Sequence, residues 1–174
     1  RLMGAVGTVS GTSISFGTVS MLLNAYTSYI DSAYDSNANK TVVSFKDTND
    51  DDGYAIVCTV SGTSISAGSA TEFSNNNNVN YTAIDFDSSA NKVVIAYNSP
   101  SLPLKAVVGT VSGTSISFGS ETQFTSYGGS STVAYDSTNN KTLIFFDDAD
   151  SALKRIIGTV SGTSISFDTA LTLL

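Results

Sequence analysis

The residues with the most chemical potential lie in two acidic stretches, Lys46-Asp47-Thr48-Asn49-Asp50-Asp51-Asp52-Gly53 and Asp147-Asp148-Ala149-Asp150-Ser151. Clustered Asp and Asn oxygens are the ligands that Ca²⁺ takes. The spacing of a calcium loop is not met, however. Counted from Asp47, the glycine comes one position late, and Cys58 stands where the bidentate glutamate belongs. The pattern therefore predicts solvated acidic loops with no metal and no cofactor. Asp47, Asn49, Asp50, Asp51, Asp52, Asp147, Asp148 and Asp150 remain candidates for contact with an external ligand. Tyr26, Tyr29, Tyr81 and Tyr127 fall in other variable segments, where an aromatic face can stack on a sugar ring or simply pack. Tyr127 joins the candidate binding residues.

Catalytic equipment is sparse. The chain has no His, no Trp and a single Cys, which excludes His-dependent hydrolysis and the usual zinc sites. Cys58 stands where the other repeats have Gly7, Gly109 and Gly158, so it reads as a small buried side chain. Asp35, Asp87 and Asp136 are each followed by Ser, the pattern of a turn in which the carboxylate accepts backbone N–H groups two residues on. Two carboxylates can cleave a glycosidic bond without His. A carboxylate-only glycosidase is thus the alternative function, although the only glutamates are Glu72 and Glu121 and the recurring aspartates look structural. No catalytic residue is assigned, and the expectation is a non-enzyme.

The elements that carry these loops are repeats. Thr-Val-Ser-Gly-Thr-Ser-Ile-Ser occurs four times without substitution, starting at Thr8, Thr59, Thr110 and Thr159, a spacing of 51, 51 and 49 residues. A period of about 50 residues marks a repeat architecture. Within a unit, the first strand ends in Ser32–Asp35, and an Asn-rich turn leads through Lys40 to a second strand. In its second copy that strand is apolar on both faces (Val93, Ile95 and Tyr97 against Val94 and Ala96), as a strand between two layers must be. The third and fourth strands are separated by Gly-Thr alone, which predicts a two-residue hairpin with φ > 0 at the glycine. The stretches 18–28, 69–80 and 120–131 are expected to cross to the next unit.

Four antiparallel strands and a crossover predict an all-β, β-propeller-like array of four-stranded blades, three full and one partial. The division is 1–18 for the partial blade, 19–69, 70–120 and 121–169 for the full ones, and 170–174 for a tail, all within a single repeat array. With half a blade at one end, an unpaired edge and apolar faces predict self-association.

The units TVSGTSISFG, AYDSNANK and KVVIAY resemble repeats of virion structural or tail-fibre-like proteins of marine phages and of repeat proteins from marine metagenomes. The resemblance covers nearly the whole chain and carries no catalytic motif; Ala67 and the Asn75–Asn78 run depart from it. It implies a virion or extracellular structural role.

Composition narrows the partners. At 174 residues and 41% apolar content the chain can fill a core, and a net charge of −7 with scattered Lys and Arg sets up no surface for phosphates. Nucleic acid is not an expected partner, and without an apolar run of about 18 residues no membrane insertion is expected. The start at Arg1 without a signal sequence suggests an excised or processed piece. The sequons at Asn39, Asn80 and Asn140 are read as coincidental products of turn sequences. The leading expectation is a structural or adhesive module whose variable loops meet a cell-surface glycan or protein.

Overall fold

A computed structural model describes all residues except 76–77, 99–102, 149–151 and 174. The described residues are all-β, in antiparallel sheets without helices. The N-terminal strands β1 (Leu2–Gly4), β2 (Gly7–Ser10), β3 (Ser13–Phe16) and β4 (Ser20–Leu23) pair as β1–β4 and β2–β3. The first large sheet holds β5 (Thr27–Asp35), β6 (Lys40–Asp47), β7 (Gly53–Ser61), β8 (Ser64–Ala67) and β9 (Thr71–Ser74). The second holds β10 (Asn80–Asp87), β11 (Lys92–Asn98), β12 (Leu104–Ser112), β13 (Ser115–Phe118) and β14 (Thr122–Thr125). The third holds β15 (Ser131–Asp136), β16 (Lys141–Asp147), β17 (Leu153–Ser161), β18 (Ser164–Phe167) and β19 (Leu171–Thr172).

Each large sheet has five strands rather than the expected four. The stretches read as pure crossovers contain β4, β9 and β14, which return to pair the first part of the third strand. Cys58 to Ser61 of β7 pairs with β8, and Gly53 to Ala55 of the same strand pairs with β9. The fourth strand is thus one line broken at Gly68, whose N–H turns to the Val57 carbonyl at 2.9 Å before pairing resumes. The sheets run from 27 to 74, 80 to 125 and 131 to 172, so the first two end five residues, and the third three residues, beyond the units divided by sequence.

The turns follow their chemistry. Gly62, Gly113 and Gly162 adopt φ near +60° while the following Thr does not turn positive, the geometry of a type II′ hairpin. Asp35 Oδ1 accepts the N–H groups of Asn37 and Ala38 at 2.9 and 2.8 Å, Asp87 does the same for Ser89 and Ala90 at 3.0 and 2.8 Å, and Asp136 for Thr138 and Asn139 at 2.9 and 3.2 Å. The three Asp-Ser pairs therefore close turns.

An isolated hairpin is marginal in water, so stability comes from stacking the sheets. Val93, Ile95 and Tyr97 pack on Val42, Val57 and Phe73 of the first sheet, while Val94 and Ala96 face Ile144, Phe146 and Ile156 of the third. The central strand is buried on both faces, as its sequence predicts. Burying each such side chain contributes about 1.5–3 kcal/mol.

Two repeated devices set the spacing. A Cβ on Gly17, Gly68 or Gly119 would lie 2.0, 2.0 or 1.9 Å from the carbonyl oxygen of Thr63, Thr114 or Thr163 in the next hairpin, so only glycine fits. On the first strands, Asp31 Oδ2 accepts the N–H of Ile84 at 3.0 Å and Asp85 Oδ2 that of Tyr135 at 2.7 Å. The other oxygen of each holds the next N–H of its own strand, Ser32 at 2.8 Å and Phe86 at 2.7 Å. These carboxylates satisfy edge donors that no ladder reaches.

Candidate functional site

Strand direction sorts the connections onto two ends. One end carries only the Asp-Ser turns and the Gly-Thr hairpins, which repeat. The opposite end gathers the loop 48–52, Pro103, Asp148, Ala152 and the described residues that lead into β5, β10 and β15. Asp47, Asn49, Asp50, Asp51, Asp52, Tyr127, Asp147 and Asp148 all fall on this second end. Asp150 lies outside the described residues.

The first acidic loop is tied down by its own side chains. Asp47 Oδ1 accepts the N–H and the side-chain amide of Asn49 at 2.9 and 2.7 Å, and Asp50 Oδ1 accepts the N–H of Asp52 at 3.1 Å. Asp50 Oδ2 accepts the Tyr54 hydroxyl at 2.9 Å, which with burial of the ring raises the pKa of that phenol. Asp51 takes φ of +67° and pairs with the buried Lys46 Nζ at 2.7 Å. Its carbonyl receives the N–H groups of Asn78 and Val79, both at 2.8 Å. The carboxylates are thus directed at backbone donors and a lysine, and among the described residues no three metal-capable side chains converge.

The third-sheet loop is built differently. Asp148 Oδ1 accepts the N–H of Ala152 at 3.1 Å and its other oxygen pairs with Lys154. Asp147 contributes its backbone to Gly129 and Ser130, and its side chain borders a cavity of about 290 Å³ lined by Ser130, Thr132, Phe145 and Leu153. Tyr127 projects its ring with 52% exposure while its backbone is clasped by Thr125. The structure does not join the two acidic loops into one centre; they are stations along one surface.

The sequence offered Tyr29 and Tyr81 only singly, as rings that stack on a sugar or pack, and did not show that they form a second cluster. Tyr29 and Tyr81 adopt φ of +50° and +49° at matching bulges in β5 and β10, and their rings meet with centroids 4.8 Å apart. A left-handed aromatic residue costs about 1–2 kcal/mol, which marks the bulge as a place held by its surroundings. The Thr82 hydroxyl donates to the Tyr29 carbonyl, and Lys46 Nζ reaches Asn78 Oδ1 at 3.0 Å and Asn80 Oδ1 at 3.4 Å. The available signal was the recurrence of Tyr 52 residues on, at a point where β15 shows no register break.

Two further groups are structural. Cys58 is fully buried, and burial pushes its thiol up to about 11. Glu121 receives the Tyr97 hydroxyl and pairs with Lys105 at 2.7 Å. Burial works against its charge, but the bonds from Lys105, Tyr97 and Ser74 outweigh it and hold the carboxyl below its ordinary value.

Compared with known proteins, the chain matches no family model and shows no significant similarity to any curated protein.

Proposed function

We propose that the chain is a non-enzymatic, propeller-like repeat module, a segment of an extracellular or virion fibre that presents its variable loops to a glycan or protein on a cell surface. The observation that carries this reading is the division of the two ends. Among the described residues, one holds the same turns in every unit, and the other holds the loop residues that differ, with exposed tyrosines beside polar side chains. Function tends to sit on variable loops held by a rigid scaffold. Exposed Tyr127 and the cavity beside Asp147 suit a sugar, which needs an aromatic face and polar edges. Copies also associate through the apolar outer face of β2 and β3, where Val9, Ile14 and Phe16 are more than half exposed.

A glycan array combined with a cell-binding assay tests the adhesive role. The expected result is a signal that the Tyr127→Ala and Asp147→Ala variants lose while keeping the parent's melt. A signal no higher than that of an unrelated β-repeat protein would leave only a spacer role.

A further inference from the structure

The close glycine contacts run through the chain with one break. Gly17, Gly68 and Gly119 each follow the first part of a fourth strand, and each donates its N–H to the third strand, to Val6, Val57 and Val108 at 2.8, 2.9 and 3.0 Å. Asp168 makes the same bond to Ile157 at 3.0 Å. It is therefore the structural counterpart of those glycines, yet it carries a Cβ and a carboxylate.

Two neighbouring positions change with it. On the face that each sheet turns to the next, the paired residues are Ser44–Ala55 in the first sheet and Ala96–Ala106 in the second, all fully buried. In the third sheet the corresponding pair is Phe145–Arg155, and both residues are partly exposed. Arg155 Nη1 meets Asp168 Oδ2 at 3.2 Å, and Asp168 Oδ1 accepts the N–H of Ile157 at 2.8 Å. An ion pair and a phenyl ring thus stand where the other interfaces have Ala methyl groups, the small Ser44 side chain and a bare glycine backbone.

At the opposite end of the stack the reverse holds. Val9, Ile14 and Phe16 are 71%, 55% and 67% exposed, whereas their counterpart isoleucines Ile116 and Ile165 are 5% and 4% exposed because the preceding sheet covers them. The internal repeats therefore show what such a face receives.

We propose that the third sheet is a capping sheet. Asp168, with Arg155 and Phe145, closes its outer face to a further sheet of this repeat. In a head-to-tail stack, the apolar face of Val9, Ile14 and Phe16 accepts only a repeat sheet that keeps glycine at the position of Asp168. Docked in the internal geometry, a second copy would place its Thr12 carbonyl against the Asp168 Cβ, the contact that falls near 2 Å at the three internal junctions. It would also take the Arg155 guanidinium out of water, which is unfavourable when its partners are imperfect. Repeat arrays need such polar-faced terminal units, because a bare heterologous interface propagates into open filaments.

The test is to turn the third sheet's face into that of the second, with Phe145→Ala, Arg155→Ala and Asp168→Gly together. Sedimentation velocity over two decades of concentration should show the parent at one fixed mass, monomer or closed pair, and the triple variant growing without a fixed stoichiometry. Adding Ile14→Glu to the triple variant should restore the parent's behaviour. Ala in place of Gly at 168, in the same triple background, should also stay at the parent's mass, because the Cβ itself blocks the approach. If the triple variant does not fold, Asp168→Gly alone is read the same way. A folded glycine variant that keeps the parent's mass overturns the proposal, as does an alanine version that grows equally well.

Discussion

Gly119→Ala is the sharpest probe of how the sheets are spaced. The added Cβ would stand 1.9 Å from the Thr163 carbonyl oxygen, inside the 3.0 Å at which real Cβ contacts stop. The obstacle is backbone in a hydrogen-bonded hairpin, so the third sheet must retreat by roughly 1 Å, and a gap of that size forfeits about a quarter to a half of each contact it opens. The side chains loosened are Val160, Ile165 and Phe167 where they pack against Val108 and Phe124. With each burial worth about 1.5–3 kcal/mol, the loss is on the order of 1–4 kcal/mol. Gly119 does not occupy the left-handed region, so Ala adds no backbone strain and returns about 0.4–1 kcal/mol through the unfolded chain. The net cost is about 1–3 kcal/mol, the usual range for overpacking. For a chain of this size that lowers Tm by roughly 2–12 °C. Circular dichroism melts of Gly119→Ala and Gly68→Ala should agree, and a Tm at or above the parent's would refute the close-packing argument.

At Gly113 and Gly62 the space around a Cβ is open, so Gly113→Val and Gly62→Val should each cost about 1–3 kcal/mol through positive-φ strain alone. Melts of both that match the parent would remove the type II′ assignment. The lowered pKa of Glu121 means that its stabilisation is present above the ordinary carboxylate value, near pH 4.3, and is lost as pH falls through the folded value. The parent should therefore lose stability on acidification in that window faster than Glu121→Gln, and parallel pH–Tm curves would contradict the linkage. Calorimetry with Ca²⁺ should show no site tighter than about 10 μM, since the Asp47, Asp50 and Asp51 carboxylates are committed to backbone N–H groups, Asn49, Tyr54 and Lys46; a tighter site would mean that those bonds yield to the ion.

The repeat, the hairpin glycines, the Asp-Ser turns and the doubly buried β11 were legible because each rests on local chemistry that sequence displays. A glycine before Thr in an apolar hairpin admits few readings. The strands β4, β9 and β14 were not legible, because segments such as Thr122–Thr125 carry a single apolar residue and so show no alternation. Asp31 and Asp85 were missed for another reason. They occupy different register positions in their strands, so an eye trained on the repeat passes over them, yet each bonds the residue one beyond its own counterpart in the next sheet. The acidic loops looked loose because charge repulsion is visible in a sequence, whereas the Lys46 and Asn78 contacts that hold Asp51 come from residues whose proximity depends on the fold.

The invariance of Thr-Val-Ser-Gly-Thr-Ser-Ile-Ser follows from the same geometry. A single hairpin does not require the same eight residues each time, since many sequences satisfy a type II′ turn. Here the turn residue Thr63 presents its carbonyl to Gly17 of the unit before it, Thr114 to Gly68, and Thr163 to Gly119. Ile116 and Ile165, three residues past their turn glycines, fill the space under the preceding sheet. The second, third and fourth hairpins are therefore each read by the preceding unit, and a change in one of them must be matched there. The loops at the other end escape most of that constraint, since they bond within their own sheet and to the segment entering the next. Conserved spacing at one end is what leaves the other free to diverge, and such divergence fits the adhesive role proposed above.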